Sequence, residues 1–415
     1  MKRYVIIGNG AAAVGCVEGI RETDREGGIT IVSAESHPCY CRPLISYLLE
    51  GKAKPENMSY RPDGFYQDNG CTVLYGRTAA SLDAGARSVT LDDGTSLGYD
   101  ALCVATGSSP FVPPFEGLET VEKRFPFMTL DDARRLEQAI DADTRVLIVG
   151  AGLIGLKCAE GVVGRVSSVE VCDLAPRVLS SILDDGCAAI MQKALEEHGV
   201  RFTLGDTVSR FEGNTAIMQS GKRIEFDVLV TAVGVRANTA LVKEAGGEVG
   251  RGIVVDSRMR TSLDGVYSAG DCTESVDVSS GERRVMAVLP NAVMQGRCAG
   301  ITMAGGDAVF DKAVPMNSIG FFGVHAMSAG SCFSAGQGGE CHERTTPDGL
   351  RRLYVRGGVL TGFVLIGKPE PVGIYTRMIR ERTPIEQADI ELLEKYPNLL
   401  PFGSAYRGKC LGGVV

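Results

Sequence analysis

Two six-residue stretches have the types and spacing that suit a diphosphate. Gly8-Asn9-Gly10-Ala11-Ala12-Ala13 follows the apolar run Tyr4-Val5-Ile6-Ile7, and Gly150-Ala151-Gly152-Leu153-Ile154-Gly155 follows Arg145-Val146-Leu147-Ile148-Val149. In such a turn the first glycine permits the tight bend and the second lets backbone approach a pyrophosphate. The third position, Ala13 or Gly155, must be small so that helix and strand can pack. The anion then sits at a helix N-terminus, where free N–H groups and the helix dipole favour negative charge. Each turn is followed by a strand and an acid, Glu35 after 29–32 and Asp173 after 169–172. A carboxylate there accepts hydrogen bonds from an adenosine ribose, and Asp173 would repel the extra phosphate of NADP. The second site is therefore expected to prefer NADH, with the nearby Arg177 as the residue that would favour the phosphate. Ser33 stands where the first acid more often falls, so Glu35 is either a ribose ligand or a solvated loop carboxylate.

The elements that must carry these turns repeat. Strand, glycine turn, helix, strand and acid occur twice, the unit that binds dinucleotides. A second match runs from Gly94 and Asp100-Ala101-Leu102-Cys103-Val104-Ala105-Thr106-Gly107 to Gly221 and Asp227-Val228-Leu229-Val230-Thr231-Ala232-Val233-Gly234, at one constant offset. Two similar nucleotide-binding domains are implied, an α/β fold with two Rossmann-like halves. Proline punctuates the linker Ser109-Pro110-Phe111-Val112-Pro113-Pro114-Phe115. Beyond Pro315 the texture changes: 353–355 and 359–366 read as a hairpin around Gly357-Gly358, and 374–382 and 384–395 as helices. This predicts a third, α+β domain. The glycine-rich tail from Pro397 is unpatterned, either frayed or docked on a partner.

The composition narrows the functional classes. The 415 residues are 44% hydrophobic and 23% charged, with a net charge of −8, which excludes disorder and argues against nucleic-acid binding. The 53 glycines have no three-residue period, so a collagen is excluded. The 13 cysteines are scattered and never spaced C-x-x-C, which points to a reducing cytoplasm and away from an intrinsic cluster or structural zinc. Cys332, Cys341 and His342 lack a fourth ligand, so no metal site is expected. The N-terminus could pass for a lipoprotein signal at Ala13-Val14-Gly15-Cys16, but Asn9 interrupts the apolar stretch, and a strand entering a glycine turn explains the residues better. No apolar run approaches the roughly 20 residues of a membrane helix.

The segment Thr261-Ser262-Leu263-Asp264-Gly265-Val266-Tyr267-Ser268-Ala269-Gly270-Asp271-Cys272 resembles the second FAD fingerprint of the pyridine nucleotide–disulfide oxidoreductase superfamily, and Ala105-Thr106-Gly107 its FAD-domain signature. Arg42-Pro43-Leu44-Ile45-Ser46 resembles the flavin-contacting segment of NADH:rubredoxin and ferredoxin reductases and of the flavin portion of NADH-dependent nitrite reductase. Gly362-Phe363-Val364-Leu365-Ile366-Gly367 and Gly373-Ile374-Tyr375-Thr376 resemble the C-terminal domain of NADH oxidase-like flavoprotein subunits of anaerobic oxidoreductases. The resemblance implies FAD and NAD(H) as cofactors, with the FAD domain split by the NAD domain: 1–112 and 241–314 for FAD, 113–240 for NAD(H), 315–396 for a C-terminal interface domain and 397–415 for a tail. It implies FAD contacts from Gly8, Gly10, Ala11, Ala12, Ala13, Glu35, Arg42, Pro43, Ala79, Ala105, Thr106, Gly107, Gly270, Asp271 and Asn291. For NAD(H) it implies Gly150, Gly152, Leu153, Ile154, Gly155, Asp173, Arg177, Val233 and Gly234. The expected activity is hydride transfer between NADH and FAD, with electrons leaving singly to an iron–sulfur protein or cluster subunit. The C-terminal domain is the expected surface for a homodimer or a heteromeric complex.

Two departures from the family pattern matter. Many relatives pair a lysine just after the arginine segment with a glutamate in the second fingerprint helix; here those positions hold Tyr47 and Lys157. Lys157 either approaches the flavin or nicotinamide edge and biases it electrostatically, or is neutralised by Glu160 on the same helix. The other departure is Cys39-Tyr40-Cys41. Thiol-using relatives place a redox cysteine near Cys41, and a thiolate there would make the chain an NADH oxidase or coenzyme A disulfide reductase. A third expectation is a non-catalytic flavoprotein subunit in which FAD is structural.

Overall fold

The computed structural model describes residues 1–332, 338–346 and 349–412. The chain forms two compact units, one of Met1–Cys41, Pro55–Ser109 and Val235–Pro315, the other of Arg42–Lys54, Pro110–Gly234 and Met316–Val415.

The first unit is organised by a five-stranded, all-parallel sheet. Its order is Cys71–Tyr75, Gly28–Ser33, Arg3–Ile7, Ala101–Val104, Val266–Ser268. The central strands are apolar throughout because both faces are covered: Val5, Ile6, Leu102 and Cys103 are buried. A three-stranded antiparallel sheet, Ala79–Asp83, Ser88–Leu91 and Ser96–Gly98, interrupts the chain before Ala101. The helices Ala11–Thr23 and Leu289–Ala304 pack backbone against backbone. A Cβ at Gly15 or Gly19 would stand 2.3 or 2.2 Å from the carbonyl oxygens of Val293 and Arg297. One at Gly296 or Gly300 would stand 2.0 or 2.1 Å from those of Ala12 and Cys16. Only glycine lets two helices approach this closely, and both pairs are four residues apart, one turn of one face.

The second unit repeats the plan with the order Val200–Leu204, Ser168–Asp173, Arg145–Val149, Val228–Thr231, Arg124–Pro126, again all parallel. Its antiparallel insert is Val208–Glu212, Thr215–Met218 and Arg223–Glu225. The two aspartates matched in sequence do the same work in each sheet. The Arg3 N–H donates to Asp100 and the Arg145 N–H to Asp227, each at 2.8 Å, and each arginine's guanidinium returns to the same carboxylate. Both carboxyls are held below the usual aspartate range, first by the arginine side-chain hydrogen bond.

The rest of the second unit is a five-stranded antiparallel sheet with helices. Gly349–Arg356 and Val359–Gly367 form the expected hairpin, and Gly357 and Gly358 both have positive φ (58° and 73°), as a two-residue turn of primed type requires. The helix expected over 374–382 runs Gly373–Glu381. The one expected over 384–395 is broken into a short 3-10 turn and Ile390–Lys395, because Asp389 caps a new start by accepting from the Leu392 N–H at 3.0 Å. The tail is not without pattern: Ser404–Leu411 is helical, and Phe402 is buried and stacked on Tyr406 with ring centroids 4.4 Å apart. Residues 413–415 of that tail lie outside the described residues.

Candidate dinucleotide sites

The two glycine turns have nearly the same backbone. Gly8 and Gly150 adopt φ of +112° and +118°. Their N–H groups donate to Val32 and Cys172 at 2.8 Å, tying each turn to the neighbouring strand. A Cβ at either would collide with the carbonyl oxygen of Ala105 (2.1 Å) or Ala232 (2.3 Å). Gly10 and Gly152 face open space, with nothing within 4 Å of a Cβ position. The helices that follow, Ala11–Thr23 and Leu153–Val162, have no side-chain cap and no acid in their first turns. By contrast, Thr129 and Asp184 cap Leu130–Ala139 and Asp185–Glu196 with their own side chains. Uncapped N–H groups beside open space fit an anion, so both turns fit a dinucleotide diphosphate. Ala13 is fully buried, and a Cβ at Gly155 would stand 2.0 Å from the Gly150 carbonyl oxygen. Ala11, Leu153 and Ile154 stay half-buried at the helix starts, and Ala12 is buried.

Around the first turn, Glu35 is half-buried and accepts from the Tyr40 hydroxyl at 2.7 Å. Ala79 begins the antiparallel insert. Thr106 Oγ1 donates to the Asn238 carbonyl at 2.9 Å, Asn238 Nδ2 to the Thr106 carbonyl at 2.8 Å, and the Asn238 N–H to Gly107 at 3.0 Å. The Gly270 N–H donates to Gln295 Oε1 at 2.9 Å, which fixes the turn that presents Asp271. Asn291 is fully buried; its Nδ2 donates to the Val314 carbonyl at 2.9 Å, while Oδ1 is a buried acceptor without a hydrogen-bond partner. The sequence reading missed Asn9, Tyr66, Asn238 and Gln295. Each works through a partner distant in the chain, and only Asn9, inside the glycine turn, carried any local signal.

Around the second turn, Asp173 is bound to the turn itself: Oδ2 accepts from the Ala151 N–H at 2.7 Å and Oδ1 from the Ala175 N–H at 2.8 Å. Arg177 is engaged by its own loop, donating to the Leu183 carbonyl at 3.0 Å and pairing with Asp185 at 3.0 Å. Gly234, at φ +130°, accepts from the Phe111 N–H at 2.9 Å, and Val233 packs on the core beside it. Lys157 is paired with the buried Glu160, donates to the Gly320 carbonyl at 3.2 Å, and lies over the rings of Tyr47 (4.8 Å) and Phe321 (5.4 Å). Where relatives are expected to hold a lysine–glutamate pair, this chain stacks a lysine on a tyrosine. Arg42 donates to the Met128 carbonyl at 2.8 Å, and Pro43 follows it in a short 3-10 turn.

All 13 cysteines are free thiols. Cys41 is half-buried, its N–H donating to the Met58 carbonyl at 2.7 Å; Cys39 is buried. Burial pushes the Cys172 thiol up to about 12 and raises Cys158, and a hydrogen bond with Cys16, together with burial, raises Cys103 well above the ordinary thiol value, as suits inert core cysteines. Among the described residues no three metal-ligating side chains come together, and no helix is long and apolar enough to cross a membrane.

Two matched turns on two matched parallel sheets define a protein that binds two dinucleotides. The chain matches the pyridine nucleotide-disulphide oxidoreductase family over residues 2–296 and belongs to it. It is 34% identical over 394 residues to the NADH-dependent phenylglyoxylate dehydrogenase subunit epsilon of Aromatoleum evansii, covering 92% of each chain. It is 30% identical over 307 residues to the rubredoxin-NAD(+) reductase of Pseudomonas putida, covering 72% of this chain and 80% of that one. The crystal structure of the covalent putidaredoxin reductase–putidaredoxin complex has a chain that superposes with a TM-score of 0.86 at 25% identity, covering 95% of both. The chain is an FAD-dependent NAD(P)H oxidoreductase, and its cofactors are FAD and NAD(H).

Proposed function

We propose that this chain passes electrons between NADH and an iron–sulfur protein, with FAD at the turn of residues 8–13 and the nicotinamide cofactor at the turn of residues 150–155. The observation that carries the reading is the matched pair of uncapped, open glycine turns. The names of the relatives support the acceptor class. One is called a rubredoxin reductase, one was solved covalently joined to putidaredoxin, and one is a subunit of a larger dehydrogenase. Bound FAD supplies the chemistry that turns a hydride into single electrons. The chain's residues bind and orient. Gly10 and Gly152 admit the diphosphates, Asp173 receives the adenosine ribose of NADH, and Asp271 holds the ribityl–phosphate region of FAD. Arg177, bound to its own loop, leaves the preference with NADH. Lys157 is proposed to set the electrostatic field beside the second turn, tempered by Glu160. Thirteen free thiols suit a cytoplasmic protein.

The test is an anaerobic NADH titration followed by addition of a rubredoxin or ferredoxin. The flavin should bleach at about one NADH per FAD, without a long-wavelength band, and then reduce the iron–sulfur protein. Consumption of about two NADH with a charge-transfer band that Cys41→Ser abolishes would replace the iron–sulfur acceptor with thiol chemistry. Flavin that NADH fails to bleach would mark FAD as structural.

A further inference from the structure

The segment that carries Cys39 and Cys41 is tied to the first glycine turn by one phenol. Tyr66, on the short helix Phe65–Asp68, donates from its hydroxyl to Asn9 Oδ1 at 2.8 Å. The Tyr66 hydroxyl oxygen in turn accepts from the Cys39 N–H at 3.0 Å. Asn9 lies between Gly8 and Gly10, and its Nδ2 reaches the His37 carbonyl at 3.4 Å. Both ends of the Asn9 amide are thus engaged by the surroundings of residues 37–39. Tyr40, next along, donates to Glu35. Residues 35–40 therefore form a strap bound to the turn at His37 and, through Tyr66, at Cys39, and closed on itself by Tyr40 on Glu35. Burial pushes the Tyr66 phenol up to about 12, so it remains a donor throughout the neutral range.

We propose that Tyr66 is a positioning residue for FAD, acting through Asn9 to hold the turn of residues 8–13 open for the diphosphate before the cofactor arrives. The inference rests on the reading of that turn as the FAD site. A turn fixed in its binding shape spares the cofactor the ordering it would otherwise impose. A phenylalanine at position 66 would keep the ring, remove both hydrogen bonds and leave Asn9 on its longer bond to the His37 carbonyl (3.4 Å).

The experiment is FAD release from the holoenzyme, followed by recovery of flavin fluorescence, in Tyr66→Phe, Asn9→Ala and the double variant. Tyr66→Phe should release FAD about tenfold faster, which corresponds to one strong, part-buried hydrogen-bond bridge. Asn9→Ala should match it, and the double variant should be no worse than the singles within about twofold, since both act through one link. The loss should fall on FAD affinity rather than on kcat measured with FAD in excess. Release at the parent rate in Tyr66→Phe, additive losses in the double variant, or kcat falling with FAD in excess would each overturn the proposal. Gly8→Ala separates the two levels. If that variant keeps its FAD, the assignment of the turn itself fails. If it loses FAD while Tyr66→Phe releases at the parent rate, only the role of Tyr66 fails.

Discussion

The first and second glycine turns share their backbone to within a few degrees at the leading glycine, yet different side chains hold them. The first is fixed at Asn9 by Tyr66 and the strap, groups that need not touch the cofactor. The second has Ala151 at that position, which offers no side-chain amide, and the turn is held by its own backbone N–H on Asp173. The carboxylate proposed to receive the ribose is therefore also the one that steadies the turn. The difference suits the proposed assignment of the cofactors: a resident FAD would be served by a turn locked independently of it, and a nicotinamide that must enter and leave by one whose lock is also its proposed ligand. The helices behind the turns differ in the same sense. Gly15, Gly19, Gly296 and Gly300 seat the first helix against backbone, while the second is tied by Lys157 on the Gly320 carbonyl (3.2 Å) and the Phe322 N–H on Glu160 (3.1 Å).

The largest effects are expected at the leading glycines. Gly8→Ala drives a methyl into the Ala105 carbonyl at a positive φ, and the variant should purify without flavin. Gly150→Ala meets the Ala232 carbonyl in the same way; it should keep its flavin and lose NADH binding by more than about a hundredfold in titration. Equal flavin loss in both would erase the distinction between the sites. Next comes Lys157→Ala, which leaves the buried Glu160 carboxylate without its cation and should cost about 3 kcal/mol in denaturant unfolding. Adding Glu160→Gln should recover much of that loss, and NADH affinity should shift with the first change. Asp173→Ala removes the proposed ribose ligand and the turn lock together, and should raise the KM for NADH by about tenfold or more while FAD stays bound. The smallest effect is in acid. Asp100 and Asp227 are depressed in the fold, so their contribution is complete above the ordinary aspartate value of 3.8 and is lost as pH falls through the lower folded values. Near neutral pH these two groups should add no pH dependence to thermal melts. Asp100→Asn and Asp227→Asn should each flatten the acid limb by similar amounts.

Much of the fold was legible because its demands are local. A glycine turn needs its residue types at fixed spacing, and a strand buried on both faces needs an unbroken apolar run, so 4–7, 29–32, 145–149 and 169–172 read correctly. The repeated Asp100 and Asp227 could be seen as a match, though not as clamps, because each arginine partner lies far back in the chain. Tyr66 was invisible for the same reason: 57 residues separate it from Asn9. Residues 384–395 read as one helix because the break is short: the 3-10 turn ends at Gln387, and the extended Asp389 already caps the next start. Phe402 and Tyr406 gave no period, since a single stacked pair anchors that tail. The Gly15/Gly19 and Gly296/Gly300 spacings were open to reading, but each looks like weak helix until the two are set face to face.

The outer strand of each parallel sheet comes from a different side of its repeat. In the second unit it is Arg124–Pro126, made before the other four strands, so the sheet has all its strands once Thr231 has been made. In the first unit it is Val266–Ser268, and the helix Leu289–Ala304 follows later still. At about 5–20 residues per second, a nascent chain waits roughly ten to thirty seconds between Val104 and Ser268 with the first sheet one strand short. The parallel sheet of the second unit can thus close on the ribosome while that of the first unit remains unfinished, reversing the usual order in which the first-made part folds first.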